Sequence, residues 1–180
     1  MKRNAEQREA GLRRWRGHPR WLLWLPILLM LQASTSPAEA ALRIGTAVPQ
    51  TTISGIDGTP VRVPESFRGK VAVLHFWQIG CSSCKLEMPA MDILYKQYRG
   101  KGIEILAVNV GQRKEDVKTF AAELGVSYPI LIDPDEKGSR LFGVADVPRT
   151  YVIDRNGIVR YRIFGGATPA LLKKLILSLL

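Results

Sequence analysis

The chain has 180 residues, a formal net charge of +10, 46% hydrophobic residues and only two cysteines. That length suits one domain with a core of its own, and two cysteines are too few to staple a scaffold. The charge divides into +4 over residues 1–40 and +6 over the remainder, where bases alternate with acids and form no aromatic-lined stripe, which argues against nucleic acid as a partner.

Met1 to Arg20 is basic, and Trp21 to Leu31 is an uninterrupted apolar run followed by small and polar residues with Ala38-Glu39-Ala40. This reads as a secretory signal cut after Ala40. The apolar run falls short of the roughly 20 residues that span a membrane. The competing reading is an uncleaved anchor, with Trp21, Trp24 and the flanking arginines at the interface. The domain division is therefore residues 1–40 as signal peptide or N-terminal membrane anchor and 41–180 as the folded domain. Either reading places that domain outside a cytoplasmic membrane, in the periplasm. Surroundings there are oxidising, so a working thiol pair needs a dedicated redox partner.

From Leu42 to Gly69 the chain is rich in turn residues, and residues 50–54 and 59–63 read as a small hairpin at the edge of a sheet. Val71 to Trp77 is apolar on both faces, the pattern of an interior strand. A helix is predicted from about Ser82 to Arg99, kinked at Pro89 and ended by Gly100-Lys101-Gly102. Ile103 to Val110 is the next strand, residues 115–124 the next helix with Gly125 as its stop, and residues 127–132 a short strand before Asp133-Pro134-Asp135. A brief helix over residues 137–142 closes at Gly143. Pro148 then leads into a strand ending at Asp154, Asn156-Gly157 marks a tight turn, and residues 158–164 return as its partner. Thr168 caps a last helix with Pro169 in its first turn, and Leu171, Leu172, Leu175, Ile176 and Leu179 form a stripe that docks onto the sheet. Alternating strands and helices make this an α/β chain.

Both cysteines fall where the first long strand meets the first long helix, in Cys81-Ser82-Ser83-Cys84. A thiol at a helix N-terminus faces unpaired N–H groups and the positive end of the helix dipole, which favour the thiolate. A bridge across so short a loop restrains the unfolded chain little, so the pair reads as a reagent rather than a staple. One C-x-x-C is half of a zinc site. Only His18 and His75 could complete it, one in the targeting segment and the other in a buried-strand pattern, so no metal site is expected. Cys81 is expected at the exposed helix tip and Cys84 one turn further in. Glu87, three residues beyond Cys84, falls on the cysteine side of the helix, either as a proton partner or as a solvated glutamate favouring the dipole. Trp77 shields the site or fills the core, His75 is a satisfied core residue, and Met88 and Met91 form an apolar rim or fill gaps.

Four marks together carry a resemblance: Arg68-Gly69-Lys70 before a strand ending Phe76-Trp77; the Cys81-Cys84 pair; Glu87 with Pro89; and Val147-Pro148 followed by Thr150 and Tyr151-Val152-Ile153-Asp154-Arg155-Asn156-Gly157. With these the chain resembles the TlpA/ResA-like thioredoxin-fold proteins, extracytoplasmic thiol-disulfide oxidoreductases, over residues 42–177. The resemblance implies a thioredoxin-like fold, a central mixed sheet flanked by helices with an N-terminal β-hairpin extension. It implies catalysis by Cys81, Cys84 and Glu87, the last a partly buried acid serving Cys84. It also implies a cis peptide at Pro148, which presents the backbone of Val147 to substrate, with Trp77 and Gly80 beside it. Many relatives carry Trp before the first cysteine and Thr or Ala before that; here Ile79-Gly80 stand in those places.

The expectation is an exported thiol-disulfide oxidoreductase acting as a reductant of protein cysteines, for example of apocytochrome thiols or a metallochaperone. Its partners would be protein thiol or disulfide substrates and a membrane-embedded electron donor, with no cofactor beyond its own disulfide. The alternative is a copper-binding or chaperone-like module on the same fold, since two thiolates suit copper(I). A peroxidase would want Thr or Ser three residues before the reactive cysteine; Gln78 holds that place.

Overall fold

The protein is described here by a computed structural model covering residues 42–180; the basic segment, the apolar run and the Ala38-Glu39-Ala40 site lie outside the described residues. Seven strands form one mixed sheet: β1 Thr51–Gly55, β2 Pro60–Val63, β3 Val71–Trp77, β4 Ile103–Val110, β5 Ile130–Asp133, β6 Arg149–Ile153 and β7 Val159–Phe164. The helices are α1 Ser82–Tyr98, α2 Lys114–Leu124, α3 Lys137–Leu141 and α4 Pro169–Leu177. Spatial order is β2-β1-β5-β4-β3-β6-β7. The strands β3, β4 and β5 are parallel, and antiparallel pairs flank them on both sides.

All seven residues of β3 are fully buried, as a strand apolar on both faces requires. Its alternation divides the core in two. Val71, Val73 and Trp77 pack with Cys84, Met88 and Met91 of α1, Val117 of α2, and Leu172 and Ile176 of α4. Ala72, Leu74 and Phe76 turn to the opposite face, with Phe67, Phe142 and Tyr151. Because β3 lies between β4 and β6, its C-terminal end opens mid-sheet, and α1 starts there.

The thioredoxin-like architecture with its added hairpin is present. The strands β1 and β2 pair antiparallel and join the sheet through Ser54↔Ile132 and Gly55↔Leu131. Three details refine these expectations. First, Pro89 lies inside α1, whose 17 residues end at Tyr98. Second, β5 begins at Ile130 rather than Ser127, because Ser127 spends its N–H and hydroxyl on Asp92 Oδ1 (2.6 and 2.7 Å) and Pro129 has no N–H to give a ladder. Third, Leu171 falls outside the α4 stripe: Leu172 and Ile176 are buried in the core and Leu175 and Leu179 pack against it, whereas Leu171 stays 42% exposed. The cap is as expected, with Thr168 accepting from the Leu171 N–H and Pro169 in the first turn. Among the described residues no helix is long and apolar enough to cross a membrane.

Candidate active site

Cys81 is the N-cap residue of α1, and its sulfur accepts from the Cys84 N–H at 3.2 Å. The two cysteines form a disulfide, with Cα atoms 5.3 Å apart. Cys81 is partly exposed and Cys84 fully buried, so only the first sulfur can meet a macromolecule. The first turn of α1 carries no acid that would oppose a thiolate at its tip. Ser83 Oγ lies 3.5 Å from Cys81 Sγ, the nearest side-chain polar contact of that sulfur.

The loop between β3 and α1 is held from outside by side chains that periodicity does not reveal. Gln112 Oε1 accepts from the Ile79 N–H at 2.8 Å and from Asn109 Nδ2 at 2.8 Å. Gln78 Nε2 donates to the Val110 carbonyl at 3.0 Å. Thus the end of β4 fixes the segment leading to Cys81. Sequence reading gave Gln78 only a negative role and gave Asn109 and Gln112 none. The available signal was an Asn near the end of the apolar run Ile105 to Val110, since a buried amide demands partners. Gly80 is exposed, and a Cβ built there would meet nothing within 4 Å.

Glu87 is half-buried on α1, and its Oε1 accepts from the Ala167 N–H at 2.9 Å. Burial pushes its carboxyl above the ordinary 4.5, and this outweighs the opposing pull of that hydrogen bond. The preceding residue, Gly166, leaves no room for a side chain: a Cβ there would collide with Glu87 Oε1 and touch Ser83 Cβ. The β7–α4 loop is therefore packed directly onto the first two turns of the helix that carries the cysteines.

The Val147–Pro148 bond is cis. The β3–β6 register ends at Phe76↔Arg149, which sets Pro148 and Val147 beside the residues that lead into the cysteine loop. The Pro148 carbonyl accepts from the Gly165 N–H at 3.1 Å, while Val147 has no backbone hydrogen-bond partner among the described residues. Val147 and Gln78 share the lining of a cleft of about 340 Å³ with Val110, Glu136, Val144 and Asp146. Trp77 is fully buried and stacks on Phe120 with centroids 5.6 Å apart, so it supports the site from below rather than walling it. Met88 and Met91 are likewise core residues and form no exposed rim. His75 is only half satisfied: Nδ1 meets Thr150 Oγ1 at 2.9 Å while Nε2 is buried without a partner. Among the described residues no group of three or more His, Cys, Asp or Glu side chains is placed to hold a metal ion.

A partly exposed sulfur at a helix cap, a buried second sulfur one turn on and a cis-proline edge together suit thiol-disulfide exchange. Comparison with known proteins agrees. Residues 44–162 match the AhpC/TSA family. The thiol-disulfide oxidoreductase ResA of Geobacillus thermodenitrificans is 38% identical over 76% of this chain and 78% of its own length. ResA of Bacillus subtilis is 31% identical over 71% of each chain. The chain belongs to the AhpC/TSA family, among its ResA-like members. It is a thiol-disulfide oxidoreductase on a thioredoxin-like fold. A crystal structure from Chlorobium tepidum, assigned as a thiol:disulfide interchange protein DsbE, superposes with a TM-score of 0.71 at 29% identity, covering 76% of this chain and 97% of that one.

Proposed function

We propose that Cys81 and Cys84 form a two-electron shuttle that reduces disulfides of protein substrates on the outer side of a membrane. The observation that carries this reading is the division of labour between the two sulfurs, one partly exposed at the helix cap and one buried. A helix terminus stabilises an adjacent anion by up to about 2 kcal/mol, and one pKa unit is about 1.4 kcal/mol, so a thiol near 8.5 moves toward neutrality.

In the reduced protein the Cys81 thiolate attacks one sulfur of a substrate disulfide. One S–S bond breaks, one forms, and the departing sulfur leaves as a thiolate that takes up a proton. Cys84, deprotonated with Glu87 as acceptor, then attacks Cys81 Sγ. The substrate's second sulfur leaves, and the Cys81–Cys84 disulfide described above remains. Two electrons have passed to the substrate, and the pair needs no bound cofactor to carry them. Burial raises the Glu87 carboxyl above its ordinary value, the direction that favours its accepting a proton. Val147, with a free backbone edge beside Pro148, lays the substrate segment alongside Cys81 by strand addition, and Gly80 leaves the approach open.

An electron donor embedded in the membrane would restore the reduced pair, and cytochrome c maturation or metallochaperone reduction are the settings this chemistry serves. An extracytoplasmic location rests on the basic and apolar pattern of residues 1–40 together with the ResA-like membership. The test is Cys84→Ser, expressed with its own leader. The variant should accumulate mixed disulfides through Cys81 with extracytoplasmic proteins. No trapped partner, together with stoichiometric tight copper(I) on the wild type, would favour the copper-binding module instead. A reduction potential as oxidising as about −120 mV would contradict the reductant direction.

A further inference from the structure

The residue after the cis-proline is an arginine, and its surroundings are not those of a structural cation. Arg149 is only 6% exposed, and its guanidinium lies 3.6 Å from the centroid of the Phe164 ring, directly across the β6–β7 ladder. Arg162, paired with Tyr151 in the next register position on the same face, lies over the same ring at 4.9 Å. Neither arginine enters an ion pair among the described residues, and the Nε atoms of both are buried without a partner. On the same strand Arg160 shows the ordinary solution, a 2.6 Å bridge to Asp154. Burial holds the Arg149 guanidinium below its ordinary value; the neighbouring Arg162 acts the same way, and Tyr151 and Asp146, neither at bridging distance, oppose it. Phe164 itself is 61% exposed, so the ring gathers two cations at the surface instead of filling a core.

We propose that Arg149, Arg162 and Phe164 form a carboxylate-binding patch that selects protein substrates carrying an acidic residue close to the reacting cysteine. The proposal rests on the thiol-exchange reading above, because it places the patch on the same substrate edge. Arg149 is two residues from Val147, with Cα atoms no more than about 7 Å apart, so a side chain one to three positions from the substrate cysteine that passes over the end of the sheet reaches it. The next residues of the same loop, Gly165 and Gly166, touch Pro148 and Glu87 respectively, so patch, proline and helix tip share one end of the sheet, with the patch on the face opposite α1, beside Phe76 and Tyr151. A guanidinium withdrawn from water and left without a counter-charge gains most from a carboxylate, which it can bind through two parallel N–H groups. The Phe164 ring, the more exposed partner, covers one face of the Arg149 guanidinium and excludes water from that side.

The test is stopped-flow oxidation of the reduced full-length protein by disulfide peptides identical except for glutamate, glutamine or lysine two positions from the cysteine. Uncharged 2-hydroxyethyl disulfide reads the exchange chemistry alone. The glutamate peptide should react about tenfold faster than the lysine peptide at low salt, with the ratio shrinking at 0.5 M salt. Arg162→Gln should bring the ratio close to one, while Arg162→Lys, which keeps the charge, should retain most of it. Equal rates for the three peptides with the wild type, or a glutamate preference that survives the Arg149→Gln/Arg162→Gln double variant, overturns the patch. Failure of the wild type to react with 2-hydroxyethyl disulfide would instead remove the exchange reading on which the patch depends.

Discussion

Glu87 Oε1 and the Ala167 N–H are joined at 2.9 Å, a bond that ties the cysteine-bearing helix to the loop between β7 and α4. The carboxylate is thus fixed from the far side, on a turn of helix one step beyond Cys84. Its raised pKa has a thermodynamic consequence with a definite sign. In the unfolded chain the group loses its proton near 4.5; in the folded protein it does so higher. The folded state therefore holds the proton more tightly, and stability falls as pH rises through that window. Glu87→Gln, which keeps an oxygen acceptor for Ala167, should be more stable relative to wild type at pH 7 than at pH 4, measured by urea unfolding. It should also slow the Cys84 step at neutral pH, seen as a longer-lived mixed disulfide.

His75 gives a pH dependence on the other side. Burial lowers its pKa from 6.5 to about 4, with no charged partner to offset it. The stability from keeping it neutral is complete above pH 6.5 and is lost as pH falls toward 4, by about 3 kcal/mol at most. His75→Gln should flatten the acid limb of stability between those values. Chemical denaturation at several pH values checks this, and an unchanged acid limb would contradict the burial of a neutral imidazole.

Gly166→Ala places a methyl group against Glu87 Oε1, so either the loop or the carboxylate must move. Gly166 is exposed and the close atom ends a flexible side chain, so the loss should stay within about 1 kcal/mol. If the carboxylate is what moves, the pH dependence described for Glu87 should weaken in the same variant.

Gln112→Ala removes one acceptor shared by Ile79 and Asn109. The Ile79 N–H loses its partner and Asn109 Nδ2 keeps only its 3.5 Å contact with the Trp77 carbonyl, which costs about 1–3 kcal/mol where burial is complete and less where water enters. Faster amide exchange at Ile79, with the core strands unaffected, is the expected signature. Gly80→Trp should fold normally, because the space beyond Gly80 is open, and should narrow the range of disulfides accepted at Cys81.

The strands β3 and β4 were legible residue for residue because burial on both faces leaves runs that are apolar but for His75 in one and Glu104 and Asn109 in the other. The cysteine pair, Glu87 and Pro148 were legible because local spacing and a family pattern coincide. What stayed hidden is tertiary. Ser127 leaves its strand to satisfy Asp92, Gln112 reaches back 33 residues to Ile79, and Gly166 is required only because Glu87 stands against it. Arg149 reads as a surface base until its register partner, an exposed phenylalanine, is known. None of these follows from periodicity, which reports the face a residue occupies but not the partner it meets.

The central claim is that the two sulfurs differ in role, and alkylation of the fully reduced protein tests it most directly. Short iodoacetamide pulses across pH 5–10, quantified by mass mapping, give the reactivity of each cysteine. The expected result is modification of Cys81 with an apparent pKa well below the usual 8.5 of a free thiol, and of Cys84 only slowly. Reaction of Cys84 at or ahead of Cys81, or an unshifted Cys81, would contradict the account.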